Sequence, residues 1–213
     1  MGVRAKICGI NTVDAAEAAA ANGADFVGFV FYPPSPRDVA PNQAADIAQT
    51  LGGRVSTVGL FVDADDATIA GTLAQVPLDM LQLHGAESPD RVRAVRTRHQ
   101  RPVMKAIAIA AADDLDRARA YEAAADWLLF DARPAQESDL PGGNARAFDW
   151  QVLAEARFSR PWMLSGGLSA ANLAEAVAVT SAETVDVSSG VEDRRGHKDP
   201  DLIAAFLTAA GSC

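Results

Sequence analysis

The chain has little of what marks a secreted, membrane or nucleic-acid-binding protein. Its two cysteines, Cys8 and Cys213, stand near opposite ends of 213 residues, which is no disulfide framework. No apolar run approaches the roughly 18–20 residues that span a bilayer. The opening MGVRAKICGI lacks the apolar centre of a signal peptide, so a cytoplasmic protein is expected. Basic residues are in deficit: 19 Lys and Arg against 28 Asp and Glu give a net charge of −9. That balance argues against a general nucleic-acid surface, yet allows a local positive pocket for a small anion. His84 has no Cys, His or acidic partner at metal-ligand spacing, so no metal is expected. No G-x-G-x-x-G opens the first helical segment, which removes the dinucleotide fingerprint.

What the chain does have is regular alternation. Short runs of Val, Ile, Leu and Phe occur at 3–8, 25–31, 55–62, 79–83, 102–109, 126–131, 161–165 and 184–187. Helical segments lie between them. SPDRVRAV sets Ser88 as N-cap and Pro89 at the first helical position. DPDLIAAFL repeats that grammar with Asp199 and Pro200, then places Leu202, Ile203, Phe206 and Leu207 on one stripe. Strand and helix alternating eight times, at a period of roughly 25 residues, imply parallel strands joined by right-handed crossovers. The expected fold is α/β, a single (β/α)8 TIM barrel over residues 1–213.

Side chains alternate along a barrel strand between the interior and the helix layer. Lys6 and Cys8 share one face of strand 1, opposite Ala5 and Ile7. Gln82 and His84 do so on strand 4, Leu129 and Asp131 on strand 6, and Asp186 lies between Val185 and Val187 on strand 8. The apolar faces suit helix packing, so the polar ones should point inward. Cys8, His84 and Asp131 fall at the C-terminal strand ends, where barrel enzymes keep their active sites. Several ionisable groups on one rim are costly as packing alone. Lys6 and Lys105 are both candidates to pair with Asp186 inside the barrel. SGG (165–167) and SSG (188–190) follow strands 7 and 8, where backbone N–H groups often hold a phosphate. The 14 residues between FDAR and FDW suggest a binding loop or lid. The charged EDRRGHKD (192–199) reads as a surface loop, although it holds a G-x-K-D pattern at Gly196 to Asp199.

KICGI, GFVF followed by SPR, QLHG, GG before FDW, SGGL and VDVSSGVE stand in the order seen in the phosphoribosylanthranilate isomerase family, and the chain resembles that family over about residues 4–207. Two places depart from its pattern. The loop commonly written GGTGKxFDW is here GGNARAFDW, with Asn144, Ala145 and Arg146, and the residue before the strand-7 glycines, often Ala, is Ser165.

The resemblance implies an Amadori rearrangement of N-(5-phosphoribosyl)anthranilate, an aminoaldose, to an aminoketose, in tryptophan biosynthesis. No cofactor is implied, and the partner is a phosphorylated small molecule, with the barrel a monomer or homodimer. Carried over by motif, Cys8 is the general base and Asp131 the general acid. Arg37 holds the anthranilate carboxylate through its forked donors. Gly166, Gly167, Ser188, Ser189 and Gly190 form the phosphate cradle, and His84 and Asp186 support the substrate. A related histidine-pathway isomerase has an aspartate at the strand-1 position occupied here by Cys8, and a non-catalytic phosphate-binding barrel would not need the acid and base. A free cysteine has a pKa of about 8.5, so the neighbouring Lys6, or the positive charge of a bound iminium, is expected to increase the thiolate fraction. Asp131 needs desolvation or a nearby negative charge to hold a proton.

Overall fold

The computed structural model describes residues 2–132 and 149–213. Eight parallel strands close into a barrel in sequence order: β1 Arg4–Cys8, β2 Phe26–Phe31, β3 Ser56–Phe61, β4 Met80–Leu83, β5 Val103–Ile109, β6 Trp127–Ala132, β7 Trp162–Leu164 and β8 Thr184–Val187. β1 pairs with both β2 and β8, which closes the ring. Each strand matches one of the apolar runs.

The helices among the described residues are α1 Val13–Ala21, α2 Pro41–Leu51, α3 Asp66–Leu73, α4 Pro89–His99, α5 Asp113–Arg119, α6 Leu173–Thr180 and α7 Pro200–Gly211. Ser88 and Asp199 cap α4 and α7 as expected, accepting from Arg91 N and from Asp201 and Leu202 N. Among the described residues the alternation fails once. Before β7 stands a 3₁₀ turn, Trp150–Leu153, capped by Asp149. Phe158, further along the same segment, packs on Phe130 at 4.8 Å between ring centroids. A second difference lies after β8. EDRRGHKD contains a hairpin, β9 Glu192–Arg194 with β10 His197–Lys198, and both Glu192 and Lys198 point into the protein.

The core has two layers, as the alternation of side chains demands. Ile7, Val27, Leu81, Leu128, Phe130 and Val185 belong to the layer between strands and helices. Phe26, Val58, Met80, Met104, Leu129 and Met163 fill the lower barrel interior. Above that apolar plug the inward positions turn polar, and there the site begins.

Candidate active site

β1 ends with Cys8 facing inward, 5% exposed, and Lys6 two residues below it on the same face. Gly28 is the Cα partner of Cys8 on β2. A Cβ there would lie 3.0 Å from Cys8 Sγ and 3.2 Å from Lys6 Nζ, so the missing side chain makes room for both. Register sets Lys6 opposite Asp186 on β8. Its Nζ donates to Asp186 Oδ1 at 2.8 Å, and Ser165 Oγ donates to Oδ2 at 2.9 Å. Burial alone would push the Lys6 ammonium down, but attraction to Asp186 and Cys8, with their hydrogen bonds, holds its pKa above the ordinary lysine value.

For Cys8 the balance differs from the expectation. Burial pushes the thiol up, Lys6 pulls it down, and Asp186 pushes it up again, with a net rise. Lys6 acts in the expected direction, but Asp186 answers its charge and desolvation is the larger effect. The net direction favours the thiol over the thiolate.

Asp131 sits at the end of β6, 5% exposed. Its Oδ2 lies 3.3 Å from His84 Nε2, and its Oδ1 accepts from the Ala132 N–H at 2.8 Å. His84 Nδ1 is 2.8 Å from the side-chain Nε2 of Gln82. Gly166 has φ +90°, and a Cβ there would come within 2.5 Å of Ala132 N and 3.1 Å of Asp131 Oδ1, so only glycine lets the β7 loop approach the carboxylate this closely. Ser188 and Ser189 after β8 face the same pocket as Gly166 and Gly167. Gly190 does not line it. A Cβ at Gly190 would meet Leu168 O at 1.9 Å, so this glycine packs the two loops together.

Arg37, in the loop after β2, reaches the pocket with its guanidinium already engaged. Its Nε donates to Glu192 Oε1 at 2.7 Å and its Nη2 to Glu192 Oε2 at 2.9 Å. Lys198 Nζ donates to Glu192 Oε1 at 2.7 Å, to Ser188 O at 2.8 Å and to Ser188 Oγ at 3.2 Å. Burial lowers the Lys198 pKa to about 8 against the pull of Glu192, while the two cations hold the Glu192 carboxyl below its usual range despite its own burial. One hairpin thus ties Arg37 to the loop that carries Ser188.

The pocket encloses about 660 Å³ of empty space, including its open mouth. It brings together Cys8, Arg37, His84, Asp131, Asp186 and the glycine and serine loops. Val30, Leu60 and Val62 supply an apolar wall, which suits an aromatic ring beside the ionic groups. Asn144, Ala145 and Arg146, with the whole of the suggested lid, lie outside the described residues. Glu192 and Lys198 escaped the sequence reading because eight mostly charged residues resemble solvated loop. Their signal was the GxKD pattern at Gly196 to Asp199, which a plain surface loop does not need. Lys105 was misplaced: Met104 and Ala106 point inward, so Lys105 points outward and pairs with Glu87 at 2.8 Å rather than with Asp186.

The family model described as N-(5'phosphoribosyl)anthranilate (PRA) isomerase matches residues 5–209. A relative from Rhodospirillum centenum named N-(5'-phosphoribosyl)anthranilate isomerase is 58% identical over 213 residues, 100% of each chain. A solved phosphoribosyl anthranilate isomerase in complex with reduced 1-(o-carboxyphenylamino)-1-deoxyribulose 5-phosphate superposes with TM-score 0.85 at 36% identity, covering 99% of this chain and 100% of that one. Another structure, of monomers generated from the dimeric enzyme of Thermotoga maritima, gives TM-score 0.84 at 35% identity over 99% and 100%.

Proposed function

The chain belongs to the N-(5'-phosphoribosyl)anthranilate isomerase family, and on that premise we propose that Cys8 and Asp131 are the base and acid of its reaction. The activity is the isomerisation of N-(5'-phosphoribosyl)anthranilate, an aldose–ketose rearrangement in tryptophan biosynthesis. Asp131 donates a proton to the furanose ring oxygen, the C1'–O bond breaks, and the ring opens to an iminium. Cys8 then removes the C2' proton, and the electron pair moves into the C1'–C2' bond to give an enolamine. That enolamine tautomerises to the ketone. The observation that carries this assignment is that the two groups, on β1 and β6, line one pocket with the β7 and β8 loops.

The raised Cys8 pKa means that the thiol must lose its proton before it can act. The iminium adds positive charge beside a sulfur already near Lys6, which favours the thiolate at the step that needs it. Gly166, Gly167, Ser188 and Ser189 receive the phosphate, with Lys198 as a cation beneath them, and Gly190 keeps the two loops in contact. Arg37 receives the anthranilate carboxylate while Glu192 fixes the plane of its guanidinium. His84 and Asp186 act through Asp131 and Lys6. Every residue invoked comes from one chain, so a monomer and a homodimer alike carry complete sites. No helix among the described residues is long and apolar enough to cross a membrane.

The test is the loss of substrate fluorescence, with substrate generated in situ, on adding purified protein. Native protein should consume it. Cys8→Ser and Asp131→Asn should bind it but turn over at least about 10²-fold more slowly. Wild-type turnover in either variant would remove that residue from the chemistry.

A further inference from the structure

Gln82 is fully buried on the inward face of β4, beside Leu60 on β3 and Met104 on β5 by register. An amide in such apolar company should use both of its ends. Its Nε2 lies 2.8 Å from His84 Nδ1, but its Oε1 has no hydrogen-bond partner among the described residues. A methionine of similar length would fill the same space without burying an unpaired carbonyl. What glutamine adds is the single contact with the His84 ring.

That contact has a definite consequence. An N–H directed at Nδ1 requires a lone pair there, so the ring carries its proton on Nε2. Nε2 is the atom 3.3 Å from Asp131 Oδ2. The same donor also opposes a second proton on the ring, because Nδ1–H would face the amide N–H. Beside a buried carboxylate an imidazole would otherwise tend to become imidazolium. An imidazolium would hold Asp131 as an ion-paired carboxylate and deprive it of the proton that an acid must give. A neutral Nε2–H instead stabilises the carboxylate only as it forms.

We infer that Gln82 is a positioning residue for the acid: its amide keeps His84 neutral, with the ring N–H directed at Asp131. This rests on the assignment of Asp131 as the acid. The other charged groups around the His84 loop are Asp63 after β3, whose carboxyl packs on Gly85, and Glu87 with Lys105 beneath it. None of them is bonded to the His84 ring, which leaves Asp131 and Gln82 as its two polar partners among the described residues.

The experiment combines imidazole ¹⁵N spectra across pH with turnover and melting temperature, for the native protein, Gln82→Met and Gln82→Glu. Three histidines make the assignment tractable. The native His84 should be the neutral Nε2–H form at pH 7. In Gln82→Met its titration should move to higher pH, and in Gln82→Glu it should stay protonated further still. Turnover should fall about tenfold or more in Gln82→Met and further in Gln82→Glu, with KM little changed and the acidic limb of the kcat profile displaced upward. The melting temperature of Gln82→Met should hold or rise. An unchanged His84 titration in both variants, or a lower melting temperature with kcat intact, would overturn the inference. The spectra need no substrate, so they separate its failure from that of the Asp131 assignment, which Asp131→Asn tests alone.

Discussion

Lys6 on β1 and Lys105 on β5 stand on opposite sides of the barrel, each buried and each 2.8 Å from a carboxylate. They differ in which face of the strand they occupy. Lys6 points inward, beneath Cys8 and against Asp186, where its charge reaches the reacting sulfur. Lys105 points outward, donating to Leu83 O, Gly85 O and Glu87, with the Tyr121 ring 5.8 Å away. Its three acceptors all belong to β4 and the turn that follows, so this pair holds the loop carrying His84. The same chemistry therefore tunes a thiol in one place and shapes a backbone in the other. A buried ion pair is weak evidence of function until its strand face is known.

The largest effect should come from separating these two uses. Lys6→Met leaves Asp186 buried without its cation, and Lys105→Met does the same to Glu87, so each should cost about 3–5 kcal/mol in urea unfolding. Turnover per folded molecule should collapse in Lys6→Met, because the thiol loses the ammonium that lowers its pKa, and fall far less in Lys105→Met, where only the support of the His84 loop is lost. Equal loss of turnover in both would break the comparison.

Asp186→Asn sharpens the inward half. Asp186 pushes the Cys8 pKa up while Lys6 pulls it down, so the neutral amide should lower the thiol pKa. Iodoacetamide labelling between pH 7 and 9, in a Cys213→Ser background, should become faster. Slower labelling would mean that Asp186 acts mainly by holding Lys6 in place.

A third buried lysine supplies a contrast in sign. The Lys6 pKa is raised, whereas that of Lys198 falls to about 8 from 10.5. The Lys198 ammonium is disfavoured by the fold, a penalty present in full below about pH 8 and relieved as pH rises toward 10.5, where the unfolded chain binds the extra proton. This group alone should make stability rise with pH across that window, and Lys198→Met should flatten the rise in urea midpoints. Substrate binding should move the other way: KM should increase above about pH 8 as Ser188 and Glu192 lose their cation. A KM flat from pH 7 to 9.5 would remove Lys198 from the binding machinery.

The smallest effect belongs to Ser165→Ala, which removes one donor to Asp186 and returns the residue common in the family. It should cost about 1 kcal/mol or less and leave turnover within a few-fold. A large loss of activity would mean that the Ser165 hydroxyl acts on the substrate directly.

Most of the fold could be read from the chain, because a strand buried on both faces needs a short apolar run, and eight such runs with helical spacers permit few arrangements. The polar faces of β1, β4, β6 and β8 could be read for the same reason, since neighbours such as Ile7, Leu83, Phe130 and Val185 fix which side meets the helices. Lys105 was misread because β5 carries apolar residues on both faces and gives no such phase. The 3₁₀ turn at Trp150–Leu153 was hidden because DWQVLAEA has helix-forming residues.

The sequence by itself determined the barrel, the faces of the polar residues on β1, β4, β6 and β8 and the motif set that names the family, all of which follow from local pattern. Only the tertiary structure decided how those groups act on one another. Residues 6 and 186, 37 and 192, and 84 and 131 are far apart along the chain, and only the folded barrel with its loops brings them together. Whether Cys8 rests as thiol or thiolate depends on burial, on Lys6 and on Asp186 at once, and that balance exists only when all three are enclosed in the same interior.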